Sequence, residues 1–136
     1  KETWARLMQV TRETGLAARL DKDLSDSFTA TFLAGPKAEK WRRMLAHQEL
    51  DSFLGCCAAM SGTDFYTTTA SLRLASLIVA GADDAITPPD MVRELSELIP
   101  GAQFRLIRKC GHLPPVEQPE IFARTLCDFL KSVGHV

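Results

Sequence analysis

A continuously apolar run at residues 76–81 constrains the fold most, because such a run is typical of a parallel strand covered on both faces. Thr87 is predicted to supply the N-cap hydroxyl of the helix that comes next. The apolar stripe of that helix consists of Met91, Leu95, Leu98 and Ile99. A second short strand is predicted over 104–107, and a last helix begins at Pro119. Strand, helix, strand and helix with short links form a right-handed parallel unit, so this half of the chain is predicted to be α/β.

Each of the two predicted strands is followed by a titratable side chain. Asp84 ends the turn Gly81-Ala-Asp-Asp84, and His112 follows the second strand in Cys110-Gly-His112. Such strand ends meet at one edge of an open sheet, where these folds hold their sites. A histidine can take up and return a proton near neutral pH, and a buried carboxylate fixes its tautomer. We therefore predict that Asp84, rather than Asp83, is the orienting acid and His112 the general base of an acyl-transfer triad.

Each of these residues also has a purely structural interpretation. Asp84 could cap the following turn, and His112 could be a hydrogen-bonded loop residue, with Gly111 supplying an unusual backbone angle. Their order, at the ends of consecutive strands, favours the functional interpretation. His47 lies among arginines and is interpreted as a solvated surface residue, and His135 as an incidental residue near the end of the sequence.

Residues 1–62 follow a different pattern from residues 63–136. They contain no convincing strand and are predicted to form short amphipathic helices that stop near Gly15, Gly35 and Gly62. Their aromatic side chains are assigned to the inner faces of these helices. The chain is therefore predicted to have a helical region, 1–62, and a strand–helix region, 63–136.

Composition and charge argue against several classes of partner. A net charge of −1 with 24% charged residues argues against nucleic-acid or membrane partners, and the apolar runs are too short to span a bilayer. No cationic leader precedes an apolar segment, so we expect a cytoplasmic protein. The four cysteines fit neither a zinc pattern nor a disulfide framework, so we expect no metal or cofactor and reduced thiols that act as small core residues. They are Cys56, Cys57, Cys110 and Cys127.

Residues 77–130 resemble the C-terminal end of α/β-hydrolase enzymes. The similarity extends over nearly the whole chain. Among these enzymes, the sequence most resembles the 3-oxoadipate enol-lactonases. These enzymes hydrolyse an enol-lactone in the β-ketoadipate pathway of aromatic degradation. The stretches that carry the similarity are Trp4, Gly15, Gly55-Cys-Cys-Ala-Ala59, Gly81-Ala-Asp-Asp84 and Thr87-Pro-Pro89.

The resemblance implies a role for each part of the chain. Residues 1–62 match the helical lid and its return helix, and residues 63–136 match the C-terminal β-α-β-α part of the hydrolase core. Asp84 and His112 match the acid and histidine positions of the family. The implied function is a serine-type hydrolase that cleaves a small-molecule carboxylic ester or lactone.

The nucleophile that this chemistry needs has no counterpart in the sequence. In such enzymes the chain order is nucleophile, acid, histidine, with the nucleophile on a Gly-x-Ser-x-Gly turn, and none of the 136 residues forms one. We expect the nucleophile and oxyanion hole to lie outside this chain, and the 136 residues alone to be inactive. The strand at 77–80 has at most one partner here, at 103–108, which leaves an unpaired edge. A second polypeptide carrying the N-terminal half is one expected source of the rest, and a segment removed or left out is another.

The lid departs from the enol-lactonase pattern in a way that bears on the substrate. Where such lactonases commonly show Arg-Trp before Phe-Thr, this sequence has Asp26-Ser27 before Phe28-Thr29. An aspartate would repel a carboxylate-bearing substrate, so we predict a less anionic one, unless Arg19 or Lys22 takes over the contact.

Two further hypotheses on the function stay open. One is a relative with other chemistry (cofactor-free peroxidase or carbon–carbon bond hydrolase), and the other is a non-catalytic remnant that acts as an interaction module.

Overall fold

The computed structural model describes residues 2–135. Helices alone make up the first part of this range: α1 (Glu2–Thr14), a short 3-10 turn (Ala17–Arg19), α2 (Leu20–Ser27), α3 (Ala30–Leu33), α4 (Ala38–Ala46), α5 (Leu50–Ser61) and α6 (Tyr66–Ala70). The second part contains both strands: β1 (Leu77–Gly81), α7 (Pro89–Leu98), β2 (Gln103–Ile107), α8 (Pro114–Glu117) and α9 (Pro119–Ser132). The predicted order of strand, helix, strand and helix is therefore present. Helices α6 and α8 are short and were not predicted.

The two strands form a parallel sheet in which Leu77 lies opposite Gln103 and Gly81 lies opposite Ile107. Because the strands end level with each other, the loops that leave them begin side by side. Helix α7 packs on both strands, and α9 packs on β2. Within residues 2–135, β1 has no second strand partner.

The helical part has its own buried cluster around Phe28. Leu24 and Phe28 are almost fully buried, and the Phe28 ring stacks on Phe32 at 4.7 Å between ring centres. Trp41 on α4 packs against the same ring at 5.7 Å. Thr29 caps α3 through a hydrogen bond that its hydroxyl oxygen accepts from the Phe32 amide. This cluster fixes the short extended link between α2 and α3, which becomes important at the site.

Only part of the predicted stripe on helix α7 is buried. Ile99, directly after the helix, is buried and Leu98 is half-buried, but Met91 and Leu95 are 57% and 42% exposed, and Ser96 is buried in addition. The Ser96 hydroxyl donates to the Arg93 carbonyl within the same helix, at 2.6 Å. Because this hydrogen bond satisfies the hydroxyl, a small polar side chain can face the sheet and let the helix approach it closely.

The thiols also divide differently from the prediction. Cys57 and Cys110 are buried, but Cys56 and Cys127 are exposed, so only two of the four act as small core residues. Cys56 lies beside Cys57 on α5, and adjacent helical positions point in different directions, so one of the pair is left outside. No helix within residues 2–135 combines the length and the apolar character that crossing a membrane would require.

Candidate active site

The level ends of β1 and β2 bring Asp84 and His112 together. The ring Nδ1 atom of His112 lies 3.0 Å from Oδ2 of Asp84. The Asp84 side chain is 4% exposed, whereas the His112 side chain is 34% exposed. With Asp84 ionised, Nδ1 donates its proton to the carboxylate, and this tautomer leaves Nε2 as the basic nitrogen of the ring.

The acid loop, residues 82–88, holds the Asp84 carboxylate with donors of its own. The amides of Ile86 and Thr87 donate to Oδ1 at 2.8 and 2.9 Å, and the Thr87 hydroxyl donates to Oδ2 at 2.8 Å. Burial alone would raise the pKa of Asp84. The hydrogen bonds from Thr87, His112 and Ile86 outweigh burial and lower that pKa below its ordinary value. The carboxylate is therefore ionised at neutral pH.

Thr87 belongs to this site, and its prediction as a helix cap is wrong. Pro88 occupies the N-cap position of α7, and no side chain caps that helix end. The Thr87 hydroxyl instead donates to Asp84 and lies 3.3 Å from Nδ1 of His112. Donation to a charged acceptor makes this a strong hydrogen bond, and the hydroxyl oxygen accepts none from the first amides of α7.

The histidine loop, residues 108–113, lies against the acid loop at two backbone contacts. The Asp83 amide donates to the Cys110 carbonyl at 2.9 Å, while the Asp83 side chain is exposed and stays outside the site. Gly81 approaches so closely that a Cβ atom there would overlap the carbonyl oxygens of Cys110 and Gly111. A glycine at the end of β1 is therefore required for the two loops to meet.

Gly111 has a steric role, and the unusual backbone angle that belonged to the purely structural interpretation of His112 is absent at this residue. The positive φ in this loop belongs to Lys109, at 54°, and Gly111 is not among the residues with positive φ. A Cβ atom on Gly111 would lie 2.8 Å from the Ser27 carbonyl oxygen and 3.2 Å from Cα of Phe28. Gly111 is thus needed because the link between α2 and α3 packs directly on it.

Contacts from that link hold the histidine loop, and the sequence analysis missed them. The His112 amide donates to the Ser27 carbonyl at 2.9 Å. The Glu117 carboxylate accepts hydrogen bonds from the Gly111 amide at 2.9 Å and from the amide and hydroxyl of Thr29 at 3.1 and 2.6 Å. The only available signal was a glutamate five residues after the histidine, with nothing to identify its partner 88 positions away.

The thiol of Cys110, in the histidine loop, is not poised to act as a nucleophile. Cys110 is fully buried, and burial, with the nearby carboxylates of Glu117, Asp83 and Asp84, raises the pKa of its thiol to about 12. It is therefore a protonated thiol at neutral pH.

His47 is exposed on the helical part, with Nδ1 2.7 Å from the Arg43 carbonyl oxygen. Among residues 2–135, no group of three or more metal-ligating side chains is placed to hold an ion.

A cavity of about 340 Å³ in the helical part, the lid cavity, lies next to the histidine. Ser27 and Ile86, which bond to His112 and Asp84 through their backbones, both line it. Two ion pairs neutralise its charges: Arg19 with Asp23 and Lys22 with Asp26, both at 2.6 Å. The other apolar side chains of its wall are Trp4, Leu7, Leu45, Phe53 and Met60.

Comparison with known proteins gives relatives with several different activities. Over 96 residues, 71% of this chain, the sequence is 30% identical to 3-oxoadipate enol-lactonase 1 of Acinetobacter baylyi. Over 87 residues, 62% of this chain, it is 33% identical to a 2-hydroxy-6-oxononadienedioate/2-hydroxy-6-oxononatrienedioate hydrolase of Pseudomonas putida. These matches cover 36% and 30% of the relatives' own lengths, so the chain spans about a third of each.

Solved structures agree with this relationship. The chain superposes on a thermophilic esterase from Thermogutta terrifontis with a TM-score of 0.85 and 28% identity, over 99% of this chain and 50% of the esterase. It superposes equally well on the enol-lactonase from Burkholderia xenovorans, with a TM-score of 0.84 and 24% identity, over 96% and 50% of the two chains. The predicted α/β-hydrolase architecture is confirmed. The family model described as "Alpha/beta hydrolase family" matches residues 3–125, and the chain therefore belongs to the α/β-hydrolase family.

Proposed function

We propose that the whole protein hydrolyses a carboxylic ester or lactone, with Asp84 as the orienting acid and His112 as the general base. The observation that carries this proposal is the 3.0 Å contact between Nδ1 of a partly exposed histidine and a buried, ionised carboxylate. The serine nucleophile and the oxyanion hole come from residues outside these 136. The family relationship supports this assignment, since its members are generally hydrolytic enzymes.

The arrangement suits the two proton transfers of acyl transfer. Nε2 of His112 takes the proton of the nucleophile's hydroxyl while the oxygen attacks the carbonyl carbon of the substrate. The imidazolium, stabilised by Asp84, then gives this proton to the leaving oxygen, and an acyl-enzyme forms. Water repeats the sequence: His112 removes its proton, the hydroxide oxygen displaces the nucleophile, and the nucleophile recovers the proton.

The rest of the fold is proposed to complete the sheet beside β1. Within residues 2–135 the strand has a single neighbour, while the solved relatives are about twice as long as the part that this chain matches. A second polypeptide that carries the N-terminal half, or a further segment of the same chain, would supply the remaining strands and the nucleophile. Neither a nucleic acid nor a membrane is needed as a partner.

We further propose that the substrate is less anionic than 3-oxoadipate enol-lactone. Arg19 donates two hydrogen bonds to Asp23, and Lys22 pairs with Asp26, so each of these cations already has a carboxylate partner. An added anion in the lid cavity would lie among carboxylates whose charges are only just balanced. The apolar part of the wall favours an uncharged acyl group.

Turnover of a simple aryl ester by the whole protein tests the proposed class. Wild type should hydrolyse the ester, and His112→Ala should not, while His47→Ala serves as a matched control on an exposed histidine. Absence of turnover, in a folded protein that is also inactive on lactones, would favour the non-catalytic interaction module. Turnover of a carbon–carbon cleavage substrate in preference to every ester would instead favour the second candidate, which the relative from Pseudomonas putida suggests.

The substrate charge is tested by kcat/KM for 3-oxoadipate enol-lactone and for an uncharged lactone of similar size. We expect wild type to prefer the uncharged lactone and Asp26→Arg to move the preference towards the charged one. Asp51→Arg, an equal charge change at an exposed position of α5, is the control and should leave the ratio unchanged. A wild type that already strongly prefers the charged lactone, with no response to Asp26→Arg, would contradict the charge argument.

A further inference from the structure

We propose that Glu117 is a positioning residue that holds the histidine loop to the link between α2 and α3 and so fixes the ring of His112 against Asp84. This inference rests on the proposed function of His112. It assigns Glu117 no contact with the substrate. Its carboxylate instead accepts hydrogen bonds from both Thr29 of the α2–α3 link and Gly111 of the histidine loop, and we call this set of hydrogen bonds the junction.

The geometry of the junction is specific. Oε1 of Glu117 accepts hydrogen bonds from two backbone amides, those of Gly111 and Thr29, at 2.9 and 3.1 Å. Oε2 accepts the Thr29 hydroxyl at 2.6 Å. Two oxygens thus bind three donors from two segments that are far apart in sequence. A carboxylate suits this arrangement because it accepts through both oxygens and strengthens each bond by its charge.

The junction acts on the residue next to the general base. The Gly111 amide is bonded to Glu117, and the next amide, that of His112, is bonded to the Ser27 carbonyl at 2.9 Å. Two successive amides of the histidine loop are therefore fixed by the α2–α3 link, one directly and one through Glu117. Any shift of the loop away from this link moves the His112 ring relative to Asp84, which is held independently by its own loop.

Loss of this junction should affect the chemical step more than substrate binding. Glu117 does not line the lid cavity, so its truncation removes no side chain from the walls of that cavity. A displacement of about 1 Å in a catalytic group can lower the rate about 100-fold. We therefore expect Glu117→Ala to lower kcat for an aryl ester 10- to 100-fold while KM changes less than threefold.

The experiment compares Glu117→Ala, Glu117→Gln and the control Glu120→Gln, an exposed glutamate three residues further on, in the whole protein. Besides kcat and KM, it follows the low-field Nδ1 proton resonance of His112 in ¹⁵N-histidine-labelled protein, assigned by its absence in His112→Gln. Glu117→Ala should shift or broaden this resonance and lower kcat. Glu117→Gln, which keeps an acceptor for the amides, should restore most of both, and Glu120→Gln should change neither.

A Glu117→Ala protein with unchanged kcat and an unchanged resonance would overturn the proposal, as would a rise in KM alone. If Glu117→Ala does not fold, Thr29→Val against Thr29→Ser decides, since only valine removes the hydroxyl that bonds Oε2. An unmoved resonance in Thr29→Val would then overturn it. If wild type hydrolyses no ester, the proposed function fails, and the Nδ1 resonance alone still tests the role of Glu117 in the position of the ring.

Discussion

The acid loop and the histidine loop present their side chains to the same point but are held in opposite ways. Asp84 takes its backbone and hydroxyl donors from residues two and three positions further along the chain. The histidine loop depends on Ser27 and on Thr29, which reaches it through Glu117, 88 positions from its partner. The acid loop is thus held by residues close to Asp84 in the sequence, whereas the histidine loop is held by contacts with the helical part.

This difference indicates that the histidine loop depends on the helical part, whereas the acid loop does not. The acid loop can keep its geometry whenever β1 and α7 are formed, since its donors are its own residues. The loop that carries His112 is instead packed against the α2–α3 link at Gly111 and bonded to it through the His112 amide. The α2–α3 link therefore contacts the histidine loop and also contributes Ser27 to the wall of the adjacent cavity.

The largest expected effect comes from removing the base itself. In the whole protein, His112→Ala should abolish ester turnover, with a loss on the order of 10⁶ in kcat by comparison with other triads. The fold should survive, because the backbone amide of residue 112 still donates to Ser27. Circular dichroism and thermal unfolding check the fold beside the kinetic assay. A variant with more than about a tenth of wild-type turnover would rule out His112 as the general base.

The second largest effect is expected from a substitution of Asp84 in the acid loop. Asp84→Asn should keep the loop but hold the histidine in the wrong tautomer, at a cost on the order of 10⁴ in kcat. Asp83→Asn should cost little, because the Asp83 side chain is exposed and only its backbone amide bonds to the histidine loop. Kinetics of both variants on one aryl ester give the ranking. The reverse ranking would show that the other carboxylate of the pair orients the base.

The same contrast explains what could be predicted from the sequence. An apolar run followed by Gly-x-x-Asp is a local pattern, and it led to β1 and to the position of Asp84 at the end of that strand. Thr87 was recognised but assigned the wrong partner: the prediction had its hydroxyl accept from an amide of the helix, whereas it donates to the Asp84 carboxylate. Glu117 and Thr29 were not paired, since only folding brings together residues so far apart, and no periodicity records such a contact.

A substitution at Gly81 tests whether the two loops must be in contact. Gly81→Ala would place a Cβ atom against two backbone carbonyl groups, which cannot move as a flexible side chain can. Overpacking of this kind should lower the free energy of unfolding by about 3 kcal/mol. Gly55→Ala is the matched control, since a Cβ atom there meets nothing within 4 Å and alanine favours the helix. Urea unfolding of the two variants should show opposite signs, and equal stabilities would contradict the close approach.

The smallest effect comes from one hydroxyl of the acid loop. Thr87→Val removes the donor to Oδ2 of Asp84 but leaves the two amides and the histidine in place. The loss of one hydrogen bond to a charged group is worth about 1.5 kcal/mol, which corresponds to about tenfold in kcat. Thr87→Ser keeps the hydroxyl and should stay within a factor of about two of wild type.

The same variant should change how stability depends on pH. In wild type the lowered pKa of Asp84 means that its ionised form stabilises the fold above the ordinary carboxyl pKa, and this contribution is lost as the pH falls through the lowered value. Without the Thr87 hydroxyl, burial is offset less and the pKa of Asp84 rises, so the contribution at neutral pH should be smaller and its loss should end at a higher pH. Thermal unfolding between about pH 3 and pH 7 measures this shift for Thr87→Val against Thr87→Ser. Superimposable curves for the two variants would mean that the acid loop holds its carboxylate through backbone amides and His112 alone.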